Sequence, residues 1–490
     1  MNVSPMTSPV LKWFKEISQI PRKSKEEQKI CQWLLDWAKS KNLEAKTIET
    51  PNAGTYNIII KVPASKGYEN APIVIVQSHL DMVCEKTPES KHDFAKDPIQ
   101  WVEDGEWLKA NQTTLGADNG IGVAMALALA DENVEHPALE LFFTVDEETG
   151  LTGANALQPG MLEGKILLNV DSEDEGRFTV GCAGGKNTHL ELPLEFGNAP
   201  ENFVEYKLNV GGLTGGHSGV DIHCQRANAI SILSRVLNNF GAIPFMVSNI
   251  KGGSAHNAIP RDVFANIFIP SEEAKKAQEI VQDMLVVLRS EYKKTDPDLG
   301  VSLSVCHESK DRKVVTKEHS KKIVDFLQTL PHGVSAMSVD IQNLVETSNN
   351  LATVEIDKNL LKVVTSQRSS VMSRLSAITH RIETMGHALG AHVESNCGYP
   401  SWQPNMDSPI LERCKVIYKK LTGKDPIIEV IHAGLECAVI GSKYPDMDMV
   451  SFGPTIKSPH SPQERIHVPS IGEVWHFTLE LMKSFKSPTV

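Results

Sequence analysis

Residues 73–81 read IVIVQSHLD, and this stretch indicates the fold of the chain. Its first four residues are apolar and β-branched, which is typical of a strand buried on both faces of a sheet. His79 and Asp81 follow almost directly after that run. Because open α/β sheets bind ligands beyond the carboxyl ends of their strands, the stretch predicts a functional sheet edge at residues 78–81.

Similar short apolar runs recur along the chain, at residues 57–62, 139–145, 166–170, 427–431 and 449–452. Two helices are also indicated. One is amphipathic, spans residues 30–38 and follows an S-x-x-E capping box formed by Ser24 and Glu27. The other is rich in Ala and Leu and lies between Asp118 and Asp131. Strands that alternate with helices predict an α/β fold with a mostly parallel sheet sandwiched between helices.

The character of the sequence changes at GCAGG, residues 181–185, and again near GYPSWQP, residues 398–404. Between these points the apolar residues alternate with polar ones, which predicts a half-exposed sheet with helices on one side. The simplest account is one domain made of residues 1–184 and 398–490. A second, α+β domain of residues 185–397 is then inserted into it, with a size in the usual domain range.

Composition excludes several classes of function. The net charge of -12, from 49 basic and 61 acidic residues, argues against nucleic acid as a partner. No apolar run approaches the roughly 20 residues of a membrane-spanning helix, so no membrane partner is expected. The N-terminal residues lack the apolar core of a signal peptide, which predicts a cytoplasmic protein.

Acidic and histidine side chains follow four of the predicted strands. His79 follows the first strand, Glu148 lies in DEETG after another, Asp171 ends a third, and His460 lies in SPHSP soon after residues 449–452. Asp118 lies in GADNG, where the Ala/Leu-rich helix begins. All five side chains are therefore expected to converge on one edge of the sheet.

Two imidazoles and three carboxylates suit a pair of zinc ions, because zinc accepts both donor types and catalytic sites leave a position for water. One carboxylate has two oxygens and can bridge two ions. Two ions about 3.5–4 Å apart can share a hydroxide and polarise a scissile carbonyl. The expected cofactor is therefore two Zn²⁺ per chain, although Co²⁺ or Mn²⁺ would also accept this ligand set.

Two neighbouring acids complete the predicted site. Glu147, beside Glu148, is the candidate base that takes a proton from the attacking water. Asp81 can accept the second N–H of the His79 ring and fix its tautomer. Each motif alone is common, and Asp118 could equally belong to a turn or a helix cap. The prediction depends on several motifs in order, each at the end of a strand.

In this order the motifs H-x-D, G-x-D-(D/N)-G, E-E-x-G, a later Asp and a near-C-terminal His resemble one metallopeptidase family. That family includes carboxypeptidase G, aminoacylase, peptidase T and carnosinase. The stretches HDFAKDPIQ, TTLGADNGIG, GGHSG and NAIPR further resemble its branch that hydrolyses aminoacyl-histidine dipeptides. The similarity extends over nearly the whole chain. It implies a catalytic metal-binding domain with an inserted lid or dimerisation domain.

The resemblance also implies a role for each ligand. Asp118 bridges the two ions, His79 and Asp171 complete one site, and Glu148 and His460 complete the other. These roles come from the family pattern and not from the spacing of the residues.

Further roles follow from the same resemblance. Glu147 is the general base, Asp81 orients His79, and His217 in GGHSG reaches the substrate from the inserted domain and stabilises the oxyanion. A homodimer is expected, and whether His217 acts within its own chain or across the dimer stays open.

The substrate residues are predicted from the needs of a dipeptidase. The substrate carboxylate requires a positive side chain, for which Arg368 is the candidate, with Asn257 beside it. Gly434 and Glu436 are expected to line the pocket, since a glycine allows close approach to the backbone. The preference for a C-terminal histidine, as in β-alanyl-histidine, rests on the resemblance alone.

The predicted function is thus hydrolysis of dipeptides, preferentially Xaa-His, by a metal-bridged water that Glu147 activates. Two alternatives stay open. A deacylase or amidase acting on N-acyl amino acids would use the same di-metal site. A non-catalytic, metal-stabilised peptide-binding protein would not need Glu147, and the presence of that acid argues against it.

Overall fold

The computed structural model describes residues 4–52, 54–306, 312–339, 341–432 and 434–486. The chain divides into two compact units. Unit 1 comprises Met1–Gly181, Trp402–Val430 and Leu435–Val490. Unit 2 comprises Cys182–Ser401 and Ile431–Gly434. The sequence boundaries lay close by, at 184/185 and 397/398, but Ile431–Gly434 was assigned to the first domain and groups with the second unit.

An eight-stranded sheet forms the centre of unit 1. Its strands lie in the spatial order Glu44–Glu49, Tyr56–Val62, Leu139–Thr144, Val74–His79, Ile166–Asn169, Asp448–Ser451, Arg177–Cys182 and Ile427–Ile431. The third to sixth strands of that order are parallel. The strands outside them that have a described register are antiparallel. The predicted α/β class is confirmed, with a sheet that is parallel at its centre and antiparallel towards its edges.

Helices and a smaller sheet complete unit 1. Its helices are Ser8–Ile17, Gln28–Ser40, Ala117–Asp131, Glu147–Gly150, Thr152–Ala156, Pro409–Thr422, Glu436–Lys443 and Val468–Lys483. The smaller sheet has the strand order Ile456–Lys457, Arg465–His467, Trp107–Ala110 and Trp101–Asp104.

Burial explains why the strand Val74–His79 can be recognised from the sequence. Every residue of Val74–His79 and of Leu139–Thr144 is buried, so most side chains on both faces of these strands are apolar. The helix Ala117–Asp131 is buried nearly all round, which matches its Ala/Leu-rich sequence.

The predicted capping box is wrong. The helix Gln28–Ser40 begins directly after Glu27, and no side chain caps its N-terminus. Ser24 instead donates a hydrogen bond from Oγ to Asp81 Oδ2 at 2.8 Å. Glu27 Oε1 accepts the backbone N–H groups of Lys25 and Asp146, both at 2.9 Å. Ser24 and Glu27 thus form hydrogen bonds to segments near Asp81 and Glu147, and neither side chain caps the start of the helix.

Unit 2 is built on an antiparallel sheet. Its strands lie in the order Gly300–Val305, Phe203–Gly211, Val263–Pro270, Met246–Gly252, Val345–Asp357, Leu360–Ser369, Gly184–Pro193 and His392–Ser395, and Gly333–Met337 also pairs with Val345–Asp357. Two short ribbons pair Phe196–Asn198 with Lys313–Val315 and Gly216–His217 with Ala258–Ile259.

Four α-helices accompany this sheet: Ala229–Asn238, Ala274–Glu291, Lys317–Thr329 and Met372–Ala388. Single 3-10 turns lie at Ile222–Cys224 and Ser271–Glu273. Buried apolar side chains from the strands and helices form one large core and two smaller clusters, which gives unit 2 the predicted α+β character.

None of the helices in the described part of the chain combines the length and the apolar character that crossing a membrane requires.

Candidate metal centre

Four parallel strands of unit 1 present the predicted ligands at one edge. His79 is the last residue of its strand, Glu148 follows Leu139–Thr144, Asp171 follows Ile166–Asn169, and His460 lies in the segment after Asp448–Ser451. Parallel strands have their carboxyl ends on the same edge, which explains why side chains far apart in sequence meet. Asp118 joins them from the first turn of Ala117–Asp131.

The first trio, which we call the His79 half, consists of His79, Asp118 and Asp171. His79 Nε2 lies 3.1 Å from Asp118 Oδ1 and 3.4 Å from Asp171 Oδ1. The second trio, the His460 half, consists of Asp118, Glu148 and His460. His460 Nε2 lies 2.9 Å from Asp118 Oδ2 and 3.2 Å from Glu148 Oε2. Each half uses a different oxygen of Asp118.

These distances fit two zinc ions. Two ligand atoms about 2.1 Å from one tetrahedral ion lie about 3.4 Å from each other, which is close to the spacings in both halves. Glu148 Oε1 is buried without a hydrogen-bond partner, as a carboxylate prepared for another ligand would be. The residues present therefore fit the expected pair of ions.

Asp81 organises the first half and the neighbouring acids. His79 Nδ1 lies 3.2 Å from the backbone oxygen of Asp81 and 3.4 Å from its Oδ1, which leaves Nε2 for a ligand. Asp81 Oδ1 accepts the backbone N–H of Glu147 at 3.0 Å, and Oδ2 accepts that of Glu148 at 3.3 Å. One buried carboxylate thus orients both His79 and the Glu147–Glu148 pair.

The charges of the cluster attract cations. Burial disfavours the protonated ring of His79, but Asp171 and Asp118 outweigh it and raise its pKa well above the ordinary value. Hydrogen bonds to Asp118 and Glu148 raise the pKa of His460 to about 11. Burial raises the pKa of Glu148 and of Asp171, and the neighbouring charge of Asp118 raises the pKa of both further. Divalent ions would replace these protons.

Glu147 lies beside the two trios and forms a third group of possible ligands with His79 and Glu148, but its side chain forms no hydrogen bond to the described residues. Burial raises its pKa well above the ordinary value. The charge of His79 lowers this pKa, whereas the carboxylates of Asp171, Glu436 and Glu148 raise it. Bound cations would lower that pKa again, towards the range in which a carboxylate serves as a base.

Glu436 does not line a pocket, so this prediction is wrong. Its side chain is completely buried in unit 1. Its Oε2 accepts hydrogen bonds from Gln77 Nε2 at 2.6 Å and from Thr144 Oγ1 at 2.7 Å. Glu436 therefore links two neighbouring strands beneath the ligands, and the spacing of HAGLEC gave no sign of this.

Arg368 belongs to a polar cluster in unit 2. Only 6% of its surface is exposed, and its Nη1 donates to Tyr399 Oη at 2.8 Å and to the backbone oxygen of His432 at 3.5 Å. Its Nε is buried without a partner, so the guanidinium retains capacity for an anion. His432 is fixed by a 2.8 Å contact between its Nε2 and Ser348 Oγ. The sequence indicated neither Tyr399 nor His432.

His217 has a fixed tautomer. Its Nδ1 accepts the backbone N–H groups of Gly219 at 3.2 Å and Val220 at 3.1 Å, so the ring proton lies on Nε2. Burial and the charge of Arg368 lower the pKa of His217, which keeps the ring neutral. The structure therefore presents His217 as a neutral N–H donor.

The other two predicted substrate residues also lie in unit 2. The backbone oxygen of Asn257 accepts the N–H of Ser218 at 2.8 Å, and the ribbon next to it pairs His217 with Ala258. A Cβ at Gly434 would lie 3.0 Å from the ring of Tyr399, so this glycine packs closely against the partner of Arg368.

Comparisons with known proteins bear on this arrangement. The chain matches the profile of peptidase family M20/M25/M40 over residues 75–484. It is 39% identical over 472 residues to the cytosol non-specific dipeptidase of Escherichia coli, an alignment that covers 96% of each chain.

Solved structures show the same similarity. The aminoacylhistidine dipeptidase of Vibrio alginolyticus superposes with a TM-score of 0.91 and 37% identity, covering 100% of this chain and 98% of that one. An aminopeptidase of Bacillus cereus superposes with a TM-score of 0.57, covering 99% and 100% of the two chains. With 17% identity, the second match shows a shared fold alone.

Proposed function

This chain belongs to peptidase family M20/M25/M40, and from that premise we propose that it is a metallodipeptidase whose centre lies in unit 1. The observation that carries the proposal is the pair of trios that share Asp118, one completed by His79 and Asp171 and the other by Glu148 and His460. A carboxylate with one oxygen facing each trio can bind two cations at once.

We propose two Zn²⁺ per chain as the occupants, with Co²⁺ or Mn²⁺ as acceptable substitutes. When bound, the ions polarise the scissile carbonyl and lower the pKa of a water molecule. His79 and Asp171 would hold one ion, Glu148 and His460 the other, and Asp118 both.

Glu147 would move the proton. Its carboxylate takes a proton from the attacking water and delivers it to the nitrogen of the leaving amine. Asp81 supports this step by fixing the backbone of Glu147 and the ring of His79. Removing a positioned base of this kind typically costs about 10²–10⁴-fold in rate.

We propose that the unit 2 cluster, of the same chain or of a second copy, recognises the C-terminal carboxylate and the developing charge of the substrate. Arg368 binds the C-terminal carboxylate, held in place by Tyr399. Asn257 and Gly434 line the same subsite. His217 donates its Nε2–H to the anionic oxygen formed at the scissile carbonyl, as its tautomer allows.

For the substrate we propose dipeptides with a preference for a C-terminal histidine. The name of the Vibrio alginolyticus relative, an aminoacylhistidine dipeptidase, supports that preference. The name of the Escherichia coli relative, a non-specific dipeptidase, indicates a broader range. The word cytosol in the name of the Escherichia coli relative supports our proposal of a cytoplasmic location. We also propose that the chain forms a homodimer, which analytical ultracentrifugation would test.

The experiment is a metal-content measurement on the purified protein, paired with hydrolysis assays. The panel contains β-alanyl-histidine, other Xaa-His dipeptides, dipeptides without histidine and N-acetyl amino acids. We expect two ions per chain and the highest kcat/KM for Xaa-His. Preferential hydrolysis of the N-acetyl amino acids would assign a deacylase instead. No hydrolysis of any member with zinc restored would favour a binding protein.

A further inference from the structure

Glu464 is a buried carboxylate that no step of the proposed reaction uses. Both of its oxygens accept hydrogen bonds from consecutive backbone N–H groups at the start of the helix Ala117–Asp131. The donors and distances are Leu115 (2.7 Å), Gly116 (2.9 Å), Ala117 (2.7 Å) and Asp118 (3.3 Å). A helix leaves its first N–H groups without intrahelical partners, so one carboxylate satisfies and fixes this whole turn.

These bonds join two ligand segments. Glu464 lies shortly after His460, and its own backbone N–H donates to Ser461 at 3.0 Å, so the segment from His460 to Glu464 is folded on itself. The carboxylate therefore connects the segment that carries His460 to the turn that carries Asp118.

Arg22 makes an equivalent connection on the other side. It is buried, and its Nη1 donates to the backbone oxygens of Leu80 and Asp81, both at 3.0 Å. Its Nη2 donates to the backbone oxygen of Gly116. The guanidinium therefore connects the segment that follows His79 to the same Asp118 turn.

The glycines of GADNG make room for this guanidinium. A Cβ at Gly116 would lie 2.5 Å from Arg22 Nη2, and a Cβ at Gly120 would lie 2.6 Å from the same atom. Gly116 also has a φ of +70°, a conformation that favours glycine. Gly120 has no such backbone requirement, so its small size is needed for the approach of Arg22.

We propose that Glu464 and Arg22 are positioning residues of the metal centre, and that each serves one half of it. Glu464 fixes the His460 half and Arg22 fixes the His79 half, with the Asp118 turn as the part common to both. The inference rests on the proposed function, because it presupposes that both halves bind metal.

Metal affinity separates this role from a merely structural one. A structural residue would lower the stability of the fold and weaken both ions alike. Supporting residues behind metal ligands typically change affinity by roughly 10–100-fold when substituted. Unequal weakening of the two binding steps is therefore the distinguishing result.

The first test is Glu464→Gln, which replaces one acceptor oxygen by an NH₂ group facing two of the N–H donors. Zn²⁺ is titrated into the chelator-treated chain by competition calorimetry. We expect two ions in the wild type, and in the variant one step weakened at least about 10-fold and the other clearly less, since only the Asp118 turn is common to both halves. Circular dichroism and thermal unfolding of the metal-free variant show whether it folds. Glu464→Asp, which keeps the charge, should give an intermediate loss.

Glu140→Gln is the matched control. Glu140 is as buried as Glu464 and likewise accepts backbone N–H groups, those of Glu163 and Gly164, both at 2.9 Å. These donors lie away from every ligand segment, so both zinc affinities should equal those of the wild type.

A double-mutant cycle assigns each residue to its half. In a Glu148→Gln background the His460 half has already lost a ligand. Adding Arg22→Gln should then weaken the remaining ion at least about 10-fold, and adding Glu464→Gln should weaken it clearly less, because Glu464 reaches the His79 half only through the Asp118 turn. Gly120→Ala should reproduce the effect of Arg22→Gln, because its methyl group displaces the guanidinium.

Three results would overturn the inference. Glu464→Gln could bind zinc as tightly as the Glu140→Gln control, or weaken both steps equally. In the cycle, the two positioning variants could have the same effect on the remaining ion. If the wild-type chain itself bound fewer than two ions, the proposed centre would fail together with the inference, and that failure is recognised before any variant is made.

Discussion

Histidines of the two units have opposite electrostatic surroundings. In unit 1 the neighbouring carboxylates raise the pKa of His79 well above its ordinary value and that of His460 to about 11. In unit 2 burial and the charge of Arg368 lower the pKa of His217, and lower that of His432 to about 3. The same side chain is thus prepared to meet a cation in one unit and to stay neutral beside an anion in the other.

The comparison teaches that the charge around a histidine, rather than the histidine itself, decides which ligand a site takes. Unit 1 combines imidazole nitrogens with excess carboxylate, which suits metal ions. Unit 2 combines neutral imidazoles with a partly unsatisfied guanidinium, which suits a carboxylate. Each variant below removes one part of this contrast.

The largest effect is expected for Asp118→Asn. The variant removes the carboxylate common to both trios, so both ions should be lost and hydrolysis should fall at least about 1,000-fold, given the several kcal/mol that bound metal contributes. Metal analysis and a dipeptide assay measure the two losses. Asp131→Asn, at the other end of the same helix, should change neither. If Asp118→Asn still bound two ions, Asp118 would not be the bridging ligand.

Glu147→Ala should separate proton transfer from metal binding. Both ions should remain, while kcat falls at least about 100-fold, since a positioned base is lost and no ligand is. The neighbouring Glu148→Gln is the contrasting variant and should lower metal content instead. A near-normal kcat in metal-loaded Glu147→Ala would remove Glu147 from the mechanism.

Arg368→Met tests the anion side of the comparison. A hydrogen bond to a charged group contributes about 1.5–3 kcal/mol, so KM for dipeptides should rise roughly 10–100-fold with metal content unchanged. The control is a dipeptide amide, which has no carboxylate and should be hydrolysed equally by variant and wild type. An equal loss on both substrates would show that Arg368 does not bind the carboxylate.

The smallest expected effect is the pH dependence of the folding stability to which His432 contributes. Its folded-state pKa of about 3 lies below the ordinary value of about 6.5, so between these values the unfolded chain binds a proton that the folded chain excludes. Its contribution to stability is complete above about pH 6.5 and is lost as the pH falls towards 3. From pH 6.5 to 5 this removes up to about 2 kcal/mol.

Urea unfolding of the metal-free protein at both pH values, compared with His432→Gln, isolates this contribution. The variant should lose less stability than the wild type over that interval. Identical pH dependence in both proteins would show that His432 is not held neutral by its surroundings.

Much of the fold and the grouping of the candidate ligands could be predicted from the sequence, because strongly buried strands leave a clear pattern. The strands Val74–His79 and Leu139–Thr144 are buried on both faces, so their mostly apolar sequences identify them directly. The family resemblance is confirmed by the match over residues 75–484. The roles of the individual ligands stay predictions.

Other features could not be predicted, because they depend on contacts between distant segments. Ser24 looked like a helix cap and instead bonds Asp81. Glu436 looked like a pocket residue and instead lies completely buried behind the strands. Neither Tyr399 nor His432 carries a motif that would connect it to Arg368.

The sequence by itself determined which residue types stand at the ends of the buried strands, because burial and periodicity are properties of short stretches. Only the tertiary structure decided that Asp118 uses one oxygen for each trio and that Asp81 serves His79 and the Glu147–Glu148 pair together. Only the tertiary structure showed Glu464 and Arg22 on the Asp118 turn. Hydrogen-bond geometry between segments far apart in the chain arises only when the parallel strands bring those segments to one edge.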